Sequence, residues 1–181
     1  FAPFGAYFFL ALAAICLSTT SQLLVNANDP ALKIIRDAII YSHTGYGIIF
    51  LTYIFSNFVL MLARNLPVYK VLYNPTRMPY FTYRFAGMIA TLAFIFYSNW
   101  RDYVFNGVAG FYNTAGDLYR MMGNDPYAES FYEQGQSQGF QNNRSNYALA
   151  TLKSSRFNME AAHKDYERAN SKQPTSYSLV N

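Results

Sequence analysis

The chain has 181 residues, of which 13% are charged and 19% aromatic, and a formal net charge of +4. So few charges among so many rings exclude an ordinary soluble surface throughout and point to a lipid-facing portion. The charge is also unevenly placed: residues 1–100 carry Lys33, Arg36, Arg64, Lys70, Arg77 and Arg84 against Asp29 and Asp37, whereas residues 101–181 balance to zero.

The basic excess therefore belongs to the apolar half, and the polar half lacks the basic stripe that a nucleic-acid binder needs. The single cysteine, Cys16, excludes an internal disulfide and reads as a small apolar residue in a lipid-facing run.

Residues 1–25 contain no charged group and are long enough for a first membrane helix, which needs about 20 apolar residues. The run has no basic start and does not begin with Met, so a signal peptide is not expected. Residues 26–37, with Asn, Asp and Pro30, are expected to form a short connecting segment. Residues 38–63 are again free of formal charge and predict a second span ending at Arg64.

His43 lies near the start of that span, beside Tyr41, Ser42 and Thr44. A membrane histidine can relay protons or hold a metal or haem, but no second ligand stands at the required spacing, and an interfacial, hydrogen-bonded role is expected. Gly45, Gly47 and Ser56 suit close helix packing.

The connection from Arg64 to Arg84 is the most basic in the chain, with Arg64, Lys70, Arg77 and Arg84 and no acid. Pro67, Pro75 and Pro79 keep it from forming one helix, and Tyr69, Tyr73, Tyr80, Phe81 and Tyr83 place amphipathic rings at headgroup depth. These four cations are candidates for lipid headgroups or an anionic substrate; a cytoplasmic location by the positive-inside rule is the simpler explanation.

Residues 85–100 form a third, shorter apolar run, with Trp100 as an interfacial anchor. Trp100, Arg101, Asp102 and Tyr103 resemble the tryptophan–aspartate signature that oligosaccharyltransferases carry after their last membrane helix. A belt tryptophan beside an Arg–Asp pair is the plainer reading. Three crossings would put the basic loop in the cytoplasm and residues 101–181 outside, and a bacterial inner membrane with a periplasmic domain is the expected setting.

Residues 109–181 contain one unit written twice. Gly116 and Ala150, Leu118 and Leu152, Ala128 and Ala162, Tyr132 and Tyr166, Glu133 and Glu167, and Gly135 and Ala169 each stand 34 positions apart. Small residues at these places allow two antiparallel helices to approach, an aromatic fills the gap, and Gly123, Asn124, Asp125 and Pro126 break the first unit, with Asp125 as the expected N-cap.

Tyr112, Ala115, Gly116, Tyr119, Gly123, Ala128, Tyr132 and Gly135, then Leu149, Ala150, Ala162, Tyr166, Ala169 and Pro174, resemble the tetratricopeptide repeat. Asn146 and Lys153 replace expected aromatics, Phe157 stands where a turn glycine belongs, and Phe140 where a closing proline belongs. The resemblance implies an all-α fold: about three membrane helices, then repeats at about 109–142 and 143–176, with a third beginning at 177.

It also implies a concave face lined by first-helix residues, here Tyr112, Tyr119, Asn146, Tyr147 and Lys153, that binds a protein or peptide. No catalytic or metal constellation is legible: His43 and His163 lie apart, and no cofactor is called for. The expected function is a membrane-anchored interaction scaffold in envelope assembly, secretion or motility, within a larger membrane complex.

The alternative is the C-terminal segment of a polytopic glycosyltransferase or oligosaccharide ligase using lipid-linked sugar. It would place the active site in a longer polypeptide, of which these residues are expected to be a part. A third reading, a respiratory or transport subunit with His43 as ligand, requires a paired ligand on another chain.

Overall fold

The computed structural model describes residues 2–64, 80–98, 100–139 and 142–171. Among them are seven helices and no strand: α1 Ala2–Val25, α2 Asp29–Ala63, α3 Tyr80–Tyr97, α4 Trp100–Met121, α5 Asp125–Gln138, α6 Asn143–Ser155 and α7 Met159–Asn170. The all-α expectation is met. By length and composition α1 and α2 can each cross a membrane, and α3 counts as a third span only together with α4.

Several expected boundaries are corrected. The connection predicted over 26–37 shrinks to a three-residue turn, because α2 already begins at Asp29. Pro30 falls in the first turn, where its missing N–H breaks no bond, and the Asp29 carboxylate suits the positive end of the helix. Trp100 opens α4 rather than closing the third run, and α3 starts at Tyr80 rather than 85. The expected turn proline Pro174, Phe140 and the start of a third repeat at 177 lie outside the described residues.

The chain forms two compact units, one of Phe1–Ile35 with Arg101–Asn181 and one of Arg36–Trp100. In the second, α2 and α3 run antiparallel. A Cβ placed on Gly45 would lie 2.9 Å from the Thr91 backbone nitrogen, so glycine is what lets the helices touch there. The Tyr41 hydroxyl meets Ser98 Oγ at 2.6 Å, and the Tyr46 hydroxyl donates to the Arg84 carbonyl at 3.2 Å. Gly47 and Ser56, also expected at a helix contact, are exposed.

The first unit is built from one turn used three times. Ala27, Gly123 and Phe157 have φ of +50°, +75° and +60°. In each case the next residue is asparagine, and its backbone N–H donates five residues back: Asn28 to Leu23, Asn124 to Tyr119 and Asn158 to Lys153, at 2.9, 2.9 and 3.0 Å. This is the left-handed helix stop, in which the turned chain satisfies carbonyls that the helix leaves open. Each asparagine carbonyl then accepts from the N–H four residues on, at Leu32, Ala128 and Ala162, starting the next helix.

The cap of α5 is Asn124, not Asp125 as expected. Its Oδ1 accepts from Tyr127 N at 3.4 Å, as Asn158 Oδ1 does from Ala161 N at 3.3 Å. The hairpins α4–α5 and α6–α7 thus repeat at 34 residues not only in sequence but in stop, turn and cap. Ala128 and Ala162, and Gly135 and Ala169, are buried at equivalent places. Tyr132 lies against Gly116 so closely that any Cβ there would strike its ring.

The α1–α2 turn joins this unit through side chains. Asn28, fully buried, donates from Nδ2 to the Gly110 carbonyl at 3.0 Å and to Thr114 Oγ1 at 3.1 Å. Asp29 receives the backbone N–H groups of Asn143 and Arg144 at 3.1 and 3.0 Å, so the α1–α2 hairpin caps the start of α6.

Candidate partner-binding face

The five residues expected on a common face do not share one environment. Tyr112 and Tyr119 project from α4 and are half-buried; both rings meet Phe131 of α5, at centroid distances of 6.2 and 5.2 Å. Tyr119 also stacks on Tyr127 at 5.5 Å, giving an aromatic ladder across the hairpin. Tyr147 of α6 packs edge-on against Tyr166 of α7 at 5.8 Å. These three tyrosines keep part of each ring on the surface, as amphipathic side chains at protein contacts do.

Asn146 and Lys153 are different. Asn146 is fully buried; its Nδ2 donates to the Asn142 carbonyl and its Oδ1 accepts from Gln136 Nε2, both at 2.6 Å. It is a piece of the interior and cannot line an accessible face. Lys153 places Nζ 2.6 Å from Asp165 Oδ2, and Asp165 is buried. Its charge is already answered within the hairpin.

Behind the face lies a polar core that the sequence reading did not single out. Asp117 Oδ1 accepts from the Tyr132 hydroxyl at 2.6 Å and from Arg144 Nε at 3.0 Å, with Arg144 Nη2 also in contact. Burial, then the hydrogen bond and charge of Asp117, push the Tyr132 hydroxyl well above its ordinary pKa. Burial and the neighbouring Tyr147 raise Tyr166 as well. Arg120, exposed on α4, reaches Thr151 Oγ1 at 3.1 Å.

A second chain of amides runs alongside. Asn113 Nδ2 donates to Asn28 Oδ1 and to Asn142 Oδ1, both at 3.3 Å, and its Oδ1 accepts from Ser145 Oγ at 2.5 Å. Asn142 caps α6 through Ser145 N at 2.7 Å and donates back to Gly135 and Gly139. Buried amides with their hydrogen bonds made fix one arrangement of the helices, because any other leaves them unpaired.

Of the cations considered for lipid headgroups, Arg64 is exposed just beyond the end of α2 and Arg84 is exposed on α3. Lys70 and Arg77 lie outside the described residues. His43 is exposed, with Nδ1 2.8 Å from the Ile39 carbonyl one turn back. His163 pairs with Glu167 on the same face of α7 at 3.3 Å. Among the described residues, no three His, Cys, Asp or Glu side chains come together as a metal site.

Tyr112, Tyr119 and Tyr147 are thus partly exposed rings, each packed against a ring of the following helix. No family model, curated protein or solved structure matches this chain.

Proposed function

We propose that the chain is a membrane-anchored helical-repeat scaffold of tetratricopeptide type, whose tyrosine-lined first-helix face holds a protein or peptide partner. The observation that carries the reading is the recurrence, 34 residues apart, of the left-handed stop and asparagine cap at Gly123–Asn124 and Phe157–Asn158. Stacked hairpins of this period form extended concave surfaces. Tyr112, Tyr119 and Tyr147, with Arg120 beside them, supply the rings and the guanidinium that dominate protein contacts.

The membrane anchor in this reading is α1 and α2 with α3 as the third crossing, which puts the repeats on the side opposite the basic 64–84 connection, and Arg64 and Arg84 lie toward lipid headgroups. The test places a photo-crosslinking side chain at Tyr112 or Tyr147 in the full chain in its native membrane. A discrete adduct of one mass from these positions, and none from the exposed Glu133 on α5, is the expected result. Equal adducts from all three positions, or none, would count against a partner-binding face.

A further inference from the structure

A groove of about 330 Å³ runs between the end of α1, the start of α2 and the first half of α4. Leu23 of α1, Ala31 and Ile34 of α2, and Gly107, Gly110 and Phe111 of α4 are among the residues that line it. Gly107 and Gly110 make it, because α2 rests on α4 through Ala31 and Ile34, where a larger residue would hold the helices apart. All of it lies within the first compact unit.

We infer that this groove binds an acyl chain of a bilayer phospholipid; the inference rests on the membrane reading proposed above. Three observations select that occupant. The lining is mostly carbon, with Gln22 and Asn26 as its amides, and its two hydroxyls are already bonded inward, Thr19 to the Ile15 carbonyl at 2.8 Å and Thr114 to the Gly110 carbonyl at 3.0 Å. A mainly apolar space favours a hydrocarbon over a polar ligand.

The groove is also continuous with the exposed side of α1. Leu24 and Val25, which follow the lining residue Leu23 in the chain, are 60% and 82% exposed, and Phe111, itself in the lining, is 67% exposed. A spanning helix with that surface is covered by lipid chains along its length, and the groove extends the same surface past its last turn. Finally, the groove sits where the apolar α1 gives way to Asp29, Lys33, Arg36 and Asp37, the depth at which acyl chains meet headgroups.

The test reconstitutes the full chain in phosphatidylcholine vesicles doped with a phosphatidylcholine carrying a diazirine on one acyl chain, and maps the photo-adducts by mass spectrometry. Adducts on Phe111 that saturate with the labelled lipid are expected. Leu23→Trp and Ile35→Trp, two independent ways to fill the groove, each lower that yield about tenfold, equivalent to about 1.4 kcal/mol of chain binding. Leu17→Trp, on the exposed face of α1, leaves it unchanged. Circular dichroism of each variant establishes that the helices are retained.

Phe111 labelling that persists in both folded groove-filling variants would overturn the inference. Alkaline carbonate separates the two levels of the argument. A chain released from the vesicles means that the membrane reading has failed, whereas a retained chain with Phe111 unlabelled means that only the groove assignment has.

Discussion

Lys153 and Asp165 form an ion pair of 2.6 Å at the place where, one repeat earlier, Tyr119 stacks on Phe131. Both positions are 34 residues apart from their counterparts, so the same inter-helix contact is made once by two rings and once by two charges. The two halves of the contact have changed together. A lone lysine against a ring, or a lone aspartate in its place, would leave a buried charge without a partner.

That coupling predicts a double-mutant cycle with a large interaction energy. Asp165 is 2% exposed, so Lys153→Tyr alone strands a buried carboxylate and costs on the order of 3 kcal/mol, softened by Arg168 Nη1 at 3.3 Å from Asp165. Lys153→Tyr with Asp165→Phe restores most of it, because well-packed apolar groups replace a buried ion pair at little cost. Urea denaturation of the four proteins reads the cycle, and additive effects would contradict it.

Phe157 holds a left-handed backbone at φ +60° while its side chain is 87% exposed, so the ring contributes little packing in return. A side chain in this region costs about 1–2 kcal/mol against glycine. Phe157→Gly is therefore expected to raise stability by about 1 kcal/mol, a rise of several degrees in melting temperature for a domain of this size. Gly123→Ala, at φ +75°, should lower it by a similar amount.

Tyr132 makes stability depend on alkaline pH. Its hydroxyl titrates higher in the folded protein than in the unfolded chain, where the value is near 10. Above that value the unfolded chain binds fewer protons than the folded one, so stability is complete below about pH 10 and is lost as pH rises beyond it. The loss should approach about 1.4 kcal/mol per pH unit for this one group. Tyr132→Phe should remove that part of the slope, at the expense of leaving Asp117 with one fewer donor. An unchanged slope in the variant would refute the assignment.

Asp29 couples the first hairpin to the repeats by accepting from the N-terminal amides of α6. Asp29→Ala is expected to cost about 1 kcal/mol, the usual value of a helix cap. Hydrogen exchange should localise the effect to Asn143 and Arg144, some 115 residues away in sequence. Faster exchange confined to the start of α2 would contradict this role.

Much of this was legible in the residues. The 34-residue period located the turns and the small buried positions, because helix hairpins of equal length must repeat their close contacts at equal spacing. Charge-free runs located α1 and the body of α2. The third turn was also written in the sequence: Asn28-Asp29-Pro30 repeats Asn124-Asp125-Pro126, but it stands out of register with the 34-residue period and was read as a loop.

The candidate face was less legible, for a physical reason. Position in the repeat gives the direction of a side chain but not what waits for it. Asn146 and Lys153 occupy first-helix places, yet Gln136 and Asp165 draw them inward. The polar core around Asn28, Asn113, Asp117 and Arg144 depends on contacts between residues 27–86 positions apart, which no local pattern reveals.

The central proposal is a repeat domain carried outside the membrane, on the side opposite the basic 64–84 connection. The direct measurement is side-specific thiol labelling of a Cys16→Ser chain in sealed, right-side-out native membrane vesicles. The single new cysteine is put at Phe157, exposed on the α6–α7 turn. Three crossings predict that Phe157→Cys reacts with an impermeant maleimide without detergent. Labelling only after the vesicles are opened would put the repeats with the basic loop, leave α1 and α2 as the only spans, and contradict the external scaffold.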